Sequence, residues 1–211
     1  TVTQHVYPVE KSQKIDLLLH LLQTTSMYSV LVFSRTKHGA DKIKRKLERS
    51  GIESISIHSG RSQGQRQRAL DGFKSGKYQV MVATDIAARG IDVSGISHVI
   101  NFDVPAFAED YIHRIGRTGR ATATGDAITF VSQDERKYLQ QIEKFIGRNL
   151  DARAFPGFMC PPANASQNEK KQSTSPSRHG GKTASSTRRP ALGSKSGSPR
   201  RRRRRARFQS V

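Results

Sequence analysis

Apolar residues in the first 150 positions of the chain follow two alternating periods. Short runs rich in β-branched residues read as buried strands: SVLVFS (29–34), ESISIH (53–58), YQVMVAT (78–84), SHVINF (97–102) and DAITFVS (126–132). Between them the spacing lengthens to that of a helix face. Ile15, Leu18, Leu19 and Leu22 fall at i, i+3, i+4 and i+7, and Ala40, Ile43 and Leu47 share one face. Further helices are predicted over 63–75, 107–115 and 133–146, with Gly51 and Gly76 where helix C-caps belong. Strands alternating with helices predict an α/β fold with a mostly parallel sheet, covered on both faces. Such sheets bind ligands at the carboxyl ends of their strands.

From about Pro156 the periodicity stops. Residues 156–211 are Ser, Pro, Gly, Lys and Arg with almost nothing to bury, so the segment cannot offset the entropy of ordering and is expected to be disordered. Charge sharpens this division. The 211 residues carry a net +20 with a pI near 10.8. Fourteen Lys or Arg and one acid, Glu169, lie between Gly157 and Val211, a net +13, which leaves +7 for the preceding residues. A polyanionic partner is implied, either nucleic acid or an anionic surface. No apolar run approaches the roughly 18 residues of a membrane span. Cys160 is the single cysteine, which excludes an internal disulfide and points to a reducing compartment; we expect the cytoplasm. The first residue is Thr1 rather than Met, so the chain is expected to be processed or cut from something longer.

Four polar clusters fall after predicted strands. FSRT (33–36) places Ser34 and Thr36 at the mouth of the first, and HSGRSQGQR (58–66) follows the second with a glycine, a base and a helix start. Backbone N–H groups and a helix dipole there suit phosphate. ATDIAARGID (83–92) follows the third, with Thr84, Asp85, Arg89, Gly90 and Asp92. Each has a plain structural reading: Ser and Thr as helix caps, Asp85 and Arg89 as an i,i+4 ion pair, Gly60 as a turn. All of them on one edge of one sheet is harder to explain that way.

The last cluster is YIHRIGRTGRA (111–121), with Arg114, Arg117 and Arg120 at every third position. Gly116 and Gly119 are expected to end the helix and leave Arg117 and Arg120 on a glycine-shaped loop. A solvated basic turn at a helix C-terminus would explain the charge but not the preference for arginine. The guanidinium fork binds phosphate oxygens in pairs and is never deprotonated.

In order and spacing, VLVFSRTK, HSGRSQGQR, VATDIAARGID and YIHRIGRTGR resemble the C-terminal lobe of the DEAD-box RNA helicases of superfamily 2, with the bacterial RhlE-like branch the nearest fit. The resemblance covers roughly residues 1–150 and implies a RecA-like three-layer α/β sandwich as a domain over residues 1–155. It also implies ATP clamped between two lobes and RNA bound across them, with Mg²⁺ held mainly by a first lobe. By resemblance Arg117 and Arg120 reach the γ-phosphate, Gly90 and Asp92 contact the nucleotide, and His113 couples the nucleotide site to the opposite lobe. Thr36, Gly60, Arg61 and Thr84 would contact RNA backbone, while Gln63 and Arg66 shape that surface. One departure stands out: the family commonly has His-Gly followed by an acid or amide, whereas here Ser59 displaces the glycine to position 60.

No phosphate-binding loop or DEAD sequence occurs in the 211 residues. HGGKT (179–183) ends like such a loop but has Pro176 where a glycine is required, and no strand precedes it. The chain alone is therefore expected to be inactive. Two rivals remain: a DNA helicase or translocase of the same superfamily, and a stand-alone RNA-binding or annealing module that never hydrolyses ATP. The arginine-rich tail would tether RNA, or serve as a nuclear-localisation patch.

Overall fold

The computed structural model describes residues 2–89, 93, 95–119 and 125–158. Gly90, Asp92, Arg120 and the tail from 159 onward lie outside the described residues.

Six strands form one sheet: β1 (Val2–Pro8), β2 (Val30–Phe33), β3 (Ser54–Ile57), β4 (Val80–Ala83), β5 (His98–Asn101) and β6 (Gly125–Val131). Their order is β1-β6-β5-β2-β4-β3, and every pairing is parallel. All four residues of β2 and of β4 are buried, as strands with helices on both faces must be. The α-helices among the described residues are α1 (Lys14–Thr24), α2 (Lys37–Arg49), α3 (Gln63–Lys74), α4 (Asp85–Ala88), α5 (Ala108–Ile115) and α6 (Arg136–Ile146).

Two layers of apolar side chains enclose the sheet. Val30, Val32, Val80, Val82 and Ile100 pack with Leu17, Leu18 and Leu21 of α1 and Ala40, Ile43 and Leu47 of α2. The alternate strand residues, Leu31, Phe33, Met81 and Val99, meet Phe73 of α3 and Ala87 and Ala88 of α4. Val6, Ala127 and Val131 meet Tyr111 and Ile115 of α5 and Ile142 of α6. Burying each such large side chain contributes about 1.5–3 kcal/mol. The result is the RecA-like three-layer sandwich that the motif order implies. The chain crosses from one side of β2 to the other between β4 and β5, so the sheet's switch point lies at the carboxyl end of β2.

The five expected strands and the longer helices are present, and Gly51 and Gly76 adopt the left-handed conformation (both φ +76°) just past α2 and α3. Two elements lie outside the sequence pattern. β1 pairs along its whole length with β6, from Val2 opposite Gly125 to Pro8 opposite Val131. After α6 the chain returns along the outer side of β1: Val6 bridges Ala152, and Arg153 N donates to Val6 O at 2.9 Å. Phe155 then stands edge-on to Tyr7 and to His20 of α1, and Phe158 packs near the same imidazole.

Candidate functional site

At the carboxyl end of β2, Ser34 is buried and Thr36 caps α2, its Oγ1 accepting from Gly39 N at 3.0 Å. Asp103, just after β5, closes this mouth: its Oδ2 accepts from Arg35 N at 2.8 Å and from Ser34 Oγ at 3.2 Å. The Arg35 guanidinium reaches Val104 O and Glu135 Oε1. Glu135 is buried and also takes the ammonium of Lys14, a fully buried lysine on α1 that in addition donates to Phe102 O at 2.7 Å. Neither Lys14 nor Glu135 stands out in the sequence as a site residue.

At the end of β3, one carboxylate oxygen organises the turn. Asp41 Oδ1 lies 2.6 Å from Ser56 Oγ, 3.1 Å from His58 Nε2 and 2.8 Å from Arg61 Nη2. Burial raises the Asp41 pKa. Hydrogen bonds from Ser56 and His58, with the charges of His58 and Arg61, outweigh that and hold it at about 2. Gly60 N donates to His58 Nδ1 at 3.1 Å, so in the neutral ring that nitrogen is the acceptor and the proton sits on Nε2, facing Asp41. Both Arg61 and the Gly60 amide are thus engaged within the protein. Ser62 and Gln65 form a reciprocal capping box that starts α3.

At the end of β4, Thr84 precedes the single turn of α4 without capping it through its side chain. The plain reading of Asp85 and Arg89 as partners is corrected by the structure. Asp85 is gripped by Arg114 of α5, Nε to Oδ1 at 2.6 Å and Nη2 to Oδ2 at 2.8 Å, while Arg89 turns to Asp110 at 3.2 Å. A one-turn helix ends before Arg89, whose backbone is already extended, so the i,i+4 geometry does not form. Arg114 also donates to Asn101 Oδ1 and Asp103 O and lies over the Phe33 ring, with the whole residue 2% exposed. Of the arginines spaced by three, the first is therefore a structural cross-link. The third, Arg120, lies outside the described residues.

Arg117 differs from Arg114. α5 ends at Ile115, and Gly116, at φ −68°, caps it without needing a left-handed backbone. Tight turns follow, Arg117 N to Arg114 O at 3.0 Å and Thr118 N to Ile115 O at 3.2 Å, and it is Gly119 that takes positive φ (+65°). Thr118 is buried and donates to Ile96 O at 2.6 Å, which anchors this loop to the strand approach of β5. Half-buried Arg117 donates its Nε to His113 O at 3.2 Å. Arg117, exposed His113, Arg89, Asp110 and the Asp85–Arg114 pair line one small pocket. Among the described residues, no group of three or more His, Cys, Asp or Glu is placed to hold a metal ion, and no helix is long and apolar enough to cross a membrane.

The helicase conserved C-terminal domain is matched over residues 13–122, which include all four strand-end clusters up to Arg120. The chain belongs to this helicase domain family, among the DEAD-box proteins. An ATP-dependent RNA helicase RhlB of Pseudomonas syringae pv. tomato is 41% identical over 155 residues, covering 74% of this chain and 39% of its own length. The DEAD-box ATP-dependent RNA helicase CshA of Bacillus subtilis is 44% identical over 150 residues, covering 71% of this chain and 30% of its own. The chain thus spans well under half the length of these curated relatives. Among solved structures, the Escherichia coli DEAD-box protein SrmB, bound to regulator of ribonuclease activity A, matches 76% of this chain and 98% of its own with TM-score 0.71 and 34% identity. A DEAD box protein from Methanococcus jannaschii matches 72% of this chain with TM-score 0.68 and 35% identity. These relatives show the DEAD-box family; they do not show the RhlE-like branch.

Proposed function

We propose that this chain is the second RecA-like lobe of an ATP-dependent RNA helicase, acting with a first lobe that supplies the phosphate-binding loop and most of the Mg²⁺ ligation. The observation that carries this reading is the division of labour on α5 and its loop. Arg114 is consumed in binding Asp85, and its cross-link ties the end of β4 to α5, while Arg117 and His113 line the open pocket beside it. An arginine on an anchored loop at a parallel sheet's carboxyl edge suits charge neutralisation at a phosphoryl group.

In this scheme Arg117 and Arg120 act on the γ-phosphate, Asp92 and Gly90 contact the nucleotide, and His113 couples the site to the opposite lobe. Thr36, Gly60, Arg61 and Thr84 contact RNA backbone, which makes recognition largely independent of sequence. Phosphoryl transfer needs positioning more than covalent chemistry, so closing two lobes is enough to switch it on. RNA that favours the closed state then promotes ATP turnover, and ATP tightens RNA by the same coupling. The tail, residues 156–211, tethers RNA by counterion release, and the protein works in the cytoplasm.

The test is reconstitution. The chain alone should hydrolyse no ATP above background with or without RNA, and turnover should appear when it is joined to a DEAD-box first lobe and RNA is added. Turnover by the highly purified chain alone, lost on Lys182→Ala, would overturn this reading.

A further inference from the structure

The β3 edge of the sheet carries a trough in which Arg61 alone has a role in this scheme. One stretch is lined by His38, Asp41, Lys44, Arg45 and Arg61, and the next by Lys44, Ser56, Arg61, Gln65, Arg68 and neighbours. Lys44 and Arg61 line both, so the two stretches are continuous, between α2 and α3. The acid in the trough is already committed, since Asp41 Oδ1 receives Arg61, Ser56 and His58. Lys44 is paired with Glu48 at 2.6 Å.

Arg45 and Arg68 are different. Neither has an acidic partner among the described residues. Each instead donates its Nε to a backbone carbonyl one turn back, Arg45 to Asp41 O at 3.2 Å and Arg68 to Gly64 O at 3.3 Å. A guanidinium steadied through Nε keeps its two terminal nitrogens for a second ligand and loses less rotamer freedom on binding it. Two such forks on separate stretches of one cationic trough suit two phosphates of one chain.

The trough also adjoins the RNA contacts proposed above, because Arg61 belongs to both. Arg45 lies nine residues beyond Thr36, about 13 Å along α2, so a strand lying over Thr36 must continue past it to reach Arg45. We propose that this trough is a second phosphate track, with Arg45 and Arg68 as its ligands, engaged by RNA that runs on beyond Thr36, Gly60, Arg61 and Thr84. This rests on the RNA-binding reading of the lobe.

The experiment measures binding of the full chain to two uridine oligomers across a salt series. One is about 6 nucleotides, short enough to end within the first contacts, and one is about 25, well beyond a single site. The Arg45→Gln/Arg68→Gln variant should lose about tenfold in affinity for the long oligomer. The slope of log K against log salt should flatten by about 1.4, roughly 0.7 for each single-strand phosphate that is no longer neutralised. Affinity for the short oligomer should not change. Arg136→Gln, which removes one exposed charge from α6 outside the trough, should leave both unchanged.

Equal losses on both oligomers would place the arginines in the first site and overturn the track. So would an equal loss from Arg136→Gln, which would make the effect one of net charge. If the paired variant keeps full affinity while Thr84→Val weakens both oligomers, the track is wrong and the RNA-binding reading stands. If Thr84→Val and the paired variant both leave binding intact, the RNA-binding reading of the lobe fails with it, and the affinity belongs to the tail. A polyglutamate peptide bound by the wild type and not by the paired variant, with RNA affinity unaltered, would assign the trough to an acidic protein segment instead.

Discussion

Arg114 holds Asp85 in a two-pronged grip, at 2.6 and 2.8 Å, across 29 positions of sequence. Only 2% of the arginine side chain meets solvent, against 28% of the aspartate. Removing one partner strands a buried charge. Asp85→Ala should therefore cost about 3–5 kcal/mol of folding stability, read by urea unfolding, because Arg114 cannot regain water. Asp85→Asn should cost less, since an amide still accepts one of the two bonds. A loss below about 1 kcal/mol for Asp85→Ala would mean that Asn101 and Asp103 satisfy Arg114 unaided.

Three residues on, the same side chain should behave in the opposite way. Arg117→Ala removes a half-buried group from a loop, and stability should move by no more than about 0.5 kcal/mol. With a first lobe attached, RNA-stimulated ATP turnover should fall by roughly 10³–10⁵, the range of arginine fingers in other phosphoryl-transfer enzymes. Arg117→Lys should restore little, because a point charge cannot reproduce the fork. Near-normal turnover with lost RNA affinity would show that Arg117 reads RNA phosphates.

Cutting the chain after Phe158 should lower RNA affinity sharply and flatten its salt dependence, since fourteen bases and the one acid are removed with the tail. A cut after Leu150 would be a poorer experiment. It would also remove Ala152, Arg153, Phe155 and Phe158, which pack on β1 and α1. A shortened chain that binds as tightly as the full one would leave the tail without a tethering role.

Asp41 should make stability depend on pH in the acid range. Its folded pKa of about 2 lies below the ordinary value of 3.8, so the carboxylate stabilises the fold above about pH 4. That contribution fades as pH falls toward 2. About a third of the side chain is exposed, which screens the effect to roughly 1 kcal/mol. The unfolding free energy of the wild type should drop by that much more than that of Asp41→Asn between pH 5 and pH 2.5. Parallel pH profiles for the two proteins would remove Asp41 from the account.

The strands of the sheet's centre were legible in the sequence because a strand buried on both faces must be apolar throughout, as Val30–Phe33 and Val80–Ala83 are. β1 was not, because it lies at an edge, and of its seven residues Val6 alone is fully buried. The roles of the three spaced arginines were hidden by their shared chemistry, though a signal existed. Arg114 falls in the helical phase of Tyr111 and Ile115, the buried stripe of α5, just as Lys14 shares the stripe of Leu17, Leu18 and Leu21. A cation in phase with an apolar face must bring a partner inside, and the partners, Asp85 and Glu135, are 29 and 121 residues away. Distance in sequence is what concealed them. Glu135 left a local trace as the last member of the capping box that begins at Ser132.

The two borders of the sheet are left in different states. Along β1 the chain's own returning segment occupies the outer hydrogen-bonding positions at Val6, so another molecule cannot add a strand there without displacing it. β3, at the other border, is only four residues long and is flanked by Lys44, Arg45, Arg61 and Arg68. Two copies approaching edge to edge would bring like charges together before any backbone bond could form. The same cations that invite a polyanion therefore keep the protein from polymerising through its own sheet. That protection weakens wherever salt or a bound polyanion screens the charges.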